Sequence, residues 1–119
     1  DIKVQNYGLS SSSKNVTFGI QENQNRGGKT IQENGDNEIL VKPLDEISSL
    51  KNKKCFLKID VEGHELDVVK GSRRFLKENL CFIQVEILNS NEFNAFDTLM
   101  NDLGYKLNHK ITDYYYSNY

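Results

Sequence analysis

The chain has 119 residues, 37% of them hydrophobic, and a formal charge of −2 at neutral pH. That length suits one domain and little more, and the weakly acidic balance gives no electrostatic footprint for nucleic acid or an acidic membrane surface. No apolar run approaches the roughly 20 residues a spanning helix needs, and no signal-peptide pattern is visible, so the expected location is cytoplasmic.

In chain order, "IKVQNYGLS" alternates Ile2, Val4 and then Tyr7 or Leu9 against polar partners, which predicts a strand running into the serine run Ser10 to Ser13. "NVTFGI" is β-branched and aromatic, again a strand. Gly27-Gly28 and Asn34-Gly35 are turn signals, so residues 15–43 read as an antiparallel meander of short strands. Gly27-Gly28 beside Arg26 and Lys29 has the composition of a phosphate cradle, but no helix follows to lend its N-terminal dipole, which favours a plain hairpin.

From Leu44 the texture becomes α/β. "LDEISSLKN" is a short helix with Leu44, Ile47 and Leu50 at helical spacing, and "CFLKIDV" is a strand. "HELDVVKG" makes two helical turns with Leu66 and Val69 inward, stopped by Gly71. Ser72 is placed to cap a second short helix, "RRFLKEN". "CFIQVEIL" is the next strand. Phe93, Phe96, Leu99, Met100 and Leu103 then mark an amphipathic helix ended by Gly104, their stripe read as core packing. "YKLNHKI" and "YYYSNY" close the chain as an antiparallel pair. Strand, helix, strand, helix with short links predicts a parallel sheet covered by helices, with the last pair added as an antiparallel extension. The expected organisation is one unit, a strand plus meander over 1–43 and an α/β core over 44–119.

Cys55 and Cys81 each open an apolar run and are expected as reduced thiols in strands. With His64 and His109 they supply four zinc-type ligands, but at a spacing that matches no zinc module, so no metal is expected.

Sites in parallel sheets lie at the carboxyl ends of strands. Both core strands end there in acids, Asp60 with Glu62 on the first and Glu86 on the second, and His64 and Glu65 follow at once. Alternation puts Lys58, Asp60 and Glu62 on one face, and Gln84 with Glu86 likewise. Central parallel strands are normally apolar throughout. Polar residues at their tips therefore indicate solvent or a ligand crevice. Glu65 divides between favouring the helix N-terminal dipole and belonging to the site, and His64 between the site and an ordinary exposed loop.

"LKIDVEGHELDVVKG", followed about ten residues later by "FIQVEI", resembles the FkbM-type methyltransferases. "VQNYGLSSSSKNVTF", "NRGGKTI", "VKPLDEI" and "LGYK" resemble flanking segments of that family in the same order. The resemblance implies a class I, Rossmann-like fold that uses S-adenosylmethionine to methylate a hydroxyl of a sugar or natural product. It further implies that Asn6, Gly8 and Leu9 run near the cofactor and that Asp60 faces its charged end. Glu62, His64 and Glu86 become candidates for the general base or for acceptor contacts. The family's glycine-rich cofactor loop has no counterpart, because the chain contains no Gly-x-Gly. Its first residue is Asp1 and its only methionine is Met100. The expectation is thus an N-terminally truncated fold that self-associates through an open sheet edge.

Two other classes stand beside the methyltransferase. One is a non-catalytic binding or assembly module on a degenerate fold. The other is a carbohydrate hydrolase using Asp60 and Glu86 as paired carboxyls, which requires a separation of about 5 Å or about 6.5–9.5 Å.

Overall fold

The computed structural model describes residues 2–20, 29–31 and 37–119. Its strands form two four-stranded sheets. The first contains β1 (Gly8–Leu9), β2 (Lys14–Ile20), β3 (Lys29–Ile31) and β4 (Asn37–Lys42) in the order β1-β4-β2-β3. β2 runs antiparallel to both β3 and β4, and β1 runs parallel to β4. A simple meander would have put β3 in the middle. Instead the seven-residue β2 is central, giving five residue pairs to β4 and three to β3. The Gly27-Gly28 and Asn34-Gly35 turns, with Arg26, lie outside the described residues.

The strand expected from Ile2 shrinks to Gly8–Leu9. Ile2 and Val4 are 95% and 89% exposed, and alternation without a surface to pack on does not hold a strand.

The second sheet contains β5 (Lys54–Ile59), β6 (Leu80–Val85), β7 (Lys106–Lys110) and β8 (Tyr114–Ser117) in the order β5-β6-β8-β7. β5 and β6 are parallel and in register from Lys54↔Leu80 to Ile59↔Val85. Such a pair needs a crossover, and α2 (Glu65–Lys70) and α3 (Arg73–Glu78) supply it. β8 runs antiparallel to β6 and to β7, so the terminal pair extends the sheet as expected. Mixed α/β architecture, with a parallel pair in each sheet, is the result.

The core lies on one face of this second sheet. Ile59, Cys81, Ile83, Val85 and Tyr116 meet Val68, Val69, Phe75 and Leu76 from α2 and α3, and Phe96, Leu99 and Met100 from α4 (Ser90–Asp102). The aromatic stripe of α4 is core, as its spacing predicts. Two tyrosines are fully buried because their hydroxyls find acceptors: Tyr105 donates to the Leu76 carbonyl at 2.9 Å and Tyr116 to Asp97 Oδ1 at 3.0 Å. Burial pushes both phenols far above their ordinary pKa. Cys81 is buried and Cys55 half-buried, both unbridged. The opposite face stays open along β5, where Phe56 is 62% exposed and stacks on Phe82 at 5.9 Å.

Helix ends correct two expectations and give a third a different reason. The helix α1 (Leu44–Ile47) is a single turn that leaves Leu50 outside, 49% exposed. Gly71 does stop α2 as expected, though not through a left-handed backbone, since its φ is −80°. It is required for close approach: a Cβ there would collide with the Ser10 carbonyl and lie 3.2 Å from Pro43 Cα. Ser72 does not cap α3; its hydroxyl donates back to the Val68 carbonyl at 2.6 Å. Asp45 of α1 caps that helix across space, accepting from the backbone N–H of Arg74 at 2.9 Å and of Phe75 at 2.8 Å. Gly104, with φ 87°, does end α4 as expected: its N–H bonds to the Asn101 carbonyl and that of Tyr105 to the Met100 carbonyl, the paired bonds of a Schellman stop.

Candidate functional site

β5 ends at Ile59 and the chain turns sharply through Asp60, Val61, Glu62 and Gly63 before α2 begins. Glu62 and Gly63 both take positive φ, 52° and 92°. A glycine accepts that freely, whereas a glutamate does so at some cost. Strand alternation therefore stops at Asp60, and the expected common face for Lys58, Asp60 and Glu62 holds only for the first two. Lys58 donates to Asp60 Oδ2 at 2.7 Å.

The tips of β5 and β6 bring the acids together. Asp60 is within hydrogen-bonding reach of Glu86. The Lys58 ammonium, with help from the Glu86 proton, holds the Asp60 carboxyl below its ordinary value despite some burial. Glu86 moves the other way: its bond to Asp60 and the negative charges of Asp60, Asp113 and Glu62 push it up. The pair thus splits, Asp60 becoming the more acidic member and Glu86 the more basic one.

His64 is not an exposed loop residue. It is half-buried, and burial depresses its pKa. Nε2 lies 2.9 Å from Ser10 Oγ and Nδ1 3.6 Å from Asp67 Oδ2. The ring thus pairs with Ser10 through Nε2 and stands with Nδ1 beside Asp67. The fully buried Ser10 also donates its N–H to the Lys42 carbonyl at 3.0 Å. His64 is thereby a tie between the two sheets. Glu65 is 4% exposed and accepts from the Gly63 N–H at 3.0 Å, bracing the turn from inside.

A cleft of about 280 Å³ opens where the sheets meet. It is lined by Gly8 and Leu9 of β1, by Phe18, Ile31, Ile39 and Val41 of β2–β4, and by Asp60, Val61 and His64. Four of the sequence candidates (Gly8, Leu9, Asp60 and His64) share this lining. Glu86 joins it indirectly through Asp60, and Glu62 is near enough for its charge to reach Glu86. Asn6 is exposed and not among the lining residues. Sequence reasoning missed the apolar wall, although the alternation of Ile39 and Val41 signalled it. It missed Asp113 as well, which accepts from Gln84 Nε2 at 2.7 Å and which nothing local in the sequence singled out.

A second cleft of similar size, lined by Gly104, Lys106, Asn108, Ser117, Asn118 and Tyr119, holds no carboxylate or histidine side chain among its described lining. Among the described residues no cluster of three or more His, Cys, Asp or Glu is arranged to hold a metal, and no helix is long and apolar enough to cross a membrane.

Residues 1–107 match the Methyltransferase FkbM domain. The chain is also similar to the hexuronic acid methyltransferase AglP of Haloferax volcanii, 37% identical over 83 residues, which are 68% of this chain and 34% of that protein. It thus spans about a third of that relative's length. No solved structure matches the chain.

Proposed function

The chain belongs to the FkbM methyltransferase family, and from that premise we propose that its cleft serves S-adenosylmethionine-dependent O-methylation of a small hydroxyl acceptor. On this reading the crossover-linked β5–β6 pair and the reversed β8 belong to a class I, Rossmann-like sheet. The observation that carries the proposal is the sharing of one cleft by Gly8, Leu9, Asp60 and His64 at the carboxyl end of β5.

The donor set suits the cofactor. Asp60 is an ionised carboxylate at the cleft wall, the group that a sulfonium charge calls for, and Gly8 with Leu9 offers backbone and a small apolar surface. When bound, S-adenosylmethionine supplies the electrophilic methyl group. The protein's own contribution is placement and proton acceptance. In-line displacement gains most of its rate from holding the reactants in position. The acceptor proton passes to the Asp60–Glu86 pair, of which Glu86 is the more basic member. His64 Nε2 is engaged by Ser10 and its Nδ1 lies beside Asp67, so its role is to fix the wall to which it belongs. Glu62 strengthens the negative field at Glu86.

Titration calorimetry with S-adenosylmethionine and S-adenosylhomocysteine tests this. Asp60→Asn is expected to weaken the sulfonium ligand about tenfold relative to the thioether. An unchanged affinity ratio would remove Asp60 from the site.

A further inference from the structure

The two walls of the cleft differ in chemistry. On the side of the first sheet, Ile39 and Val41 lie two apart on β4, and Phe18 faces Ile31 in the β2–β3 register. Ile31 is 37% exposed and Ile39 half-buried, so this wall is open to contact. Leu9 and Val61 extend it. Among the described lining residues only Asp60 and His64 carry ionisable side chains. Asp60 is held ionised by Lys58 and burial favours the neutral form of His64. The described lining therefore holds one negative charge and no cation. Lys58 is committed to Asp60 at 2.7 Å. Lys14 is near enough to disfavour protonation of His64 but is not part of the lining.

We infer that the cleft selects a neutral hydroxyl compound with an apolar flank, such as the C–H face of a sugar ring or an alkyl aglycone, over an anionic sugar acid. A carboxylate entering here exchanges water for isoleucine and valine, with no guanidinium or ammonium among the described lining residues to receive it. It also meets Asp60, a like charge in a partly dry site. An alkyl or C–H face gains contact area with the same wall. This sets the chain apart from a relative named for a hexuronic acid. The inference rests on reading the cleft as the methyl-transfer site.

The test is ligand-observed NMR binding of n-butyl β-D-glucoside and n-butyl β-D-glucuronide, which differ only in the carboxylate, with S-adenosylhomocysteine titrated separately. The glucoside is expected to bind about tenfold more tightly at low salt, with saturation transfer strongest on its alkyl and ring protons. Ile31→Arg, at a partly exposed position where folding tolerates charge, is expected to narrow or reverse that preference. Equal or tighter glucuronide binding by the unaltered chain overturns the inference, as does a preference that ignores Ile31→Arg. Failure of both glycosides while S-adenosylhomocysteine binds overturns it too and leaves the methyltransferase reading intact. Selective glucoside binding without any S-adenosylhomocysteine binding upholds the selectivity and instead sinks the cofactor reading.

Discussion

β6, in the second sheet, is sealed along one face, with Cys81, Ile83 and Val85 free of solvent beneath the helices. β4, its counterpart in the first sheet, seals only Val41 and leaves Leu40 39% exposed. The second sheet is therefore held by packing. The first is tied on by a few specific contacts: Gly71 against Ser10, His64 to Ser10, and Ser13 Oγ donating to Glu46 Oε2 at 2.6 Å. The cleft lies at the boundary. A rigid floor there carries the carboxylates, and a more loosely held wall faces them, which suits a site that must admit and release ligands.

The sharpest way to break this contrast is to cut the same kind of side chain from each sheet. Ile83→Ala should cost about 2–5 kcal/mol in denaturant unfolding, since it empties a fully buried position. Ile39→Ala, half-exposed, should cost under about 1 kcal/mol. Equal losses would mean that the sheets share one core after all.

Next in size is Gly71→Ala. The added methyl meets backbone, not a flexible side-chain tip, so the expected cost is about 1–3 kcal/mol. Hydrogen exchange should show faster opening over residues 8–20 and 37–42 while β6 keeps its protection.

The pH dependence is smaller. His64 has a folded pKa below its ordinary value of 6.5, so the unfolded chain takes up its proton first. The stability that neutral His64 contributes is complete above about pH 6.5 and declines as pH falls through the depressed folded value. His64→Gln should flatten that acid-side slope in thermal melts across pH 5–7.

Smallest is Glu86→Gln. A folded pKa raised above 4.5 means that the contribution of Glu86 is favourable below that value and is lost as pH rises through the folded pKa. Removing the charge should leave the melting temperature at neutral pH unchanged or slightly higher, while methyl transfer falls. A clear destabilisation would show that the Asp60–Glu86 contact is structural.

Much of the second region was legible in the sequence. The i, i+3, i+7 stripe of α4, the glycine stop at Gly104 and the paired apolar strands at Cys55 and Cys81 are local signals, and each produced the expected element. What failed was long-range. Asp45 caps a helix 29 residues away, and no local pattern reveals a cap supplied from elsewhere; Ser72, the local candidate, turns back to Val68 instead. Gly71 was read as a helix stop and α2 does end there, but what demands a glycine is the Ser10 backbone 61 positions upstream. Pairing order in the first sheet was likewise hidden, because strand propensity carries no information about partners. At the site, the motif pointed to Asp60, His64 and Glu86, whereas the wall of Ile31, Ile39 and Val41 depends on how the first sheet folds over the second.

The most direct test of the central claim is two-dimensional amide NMR of the chain during titration with S-adenosylhomocysteine. The shifts are expected to move at Gly8, Leu9, Asp60, Val61 and His64, with smaller changes at Ile39 and Val41. Shifts confined to the open face of Phe56 and Phe82, or none at millimolar ligand, would contradict a methyl-transfer site in the cleft between the sheets.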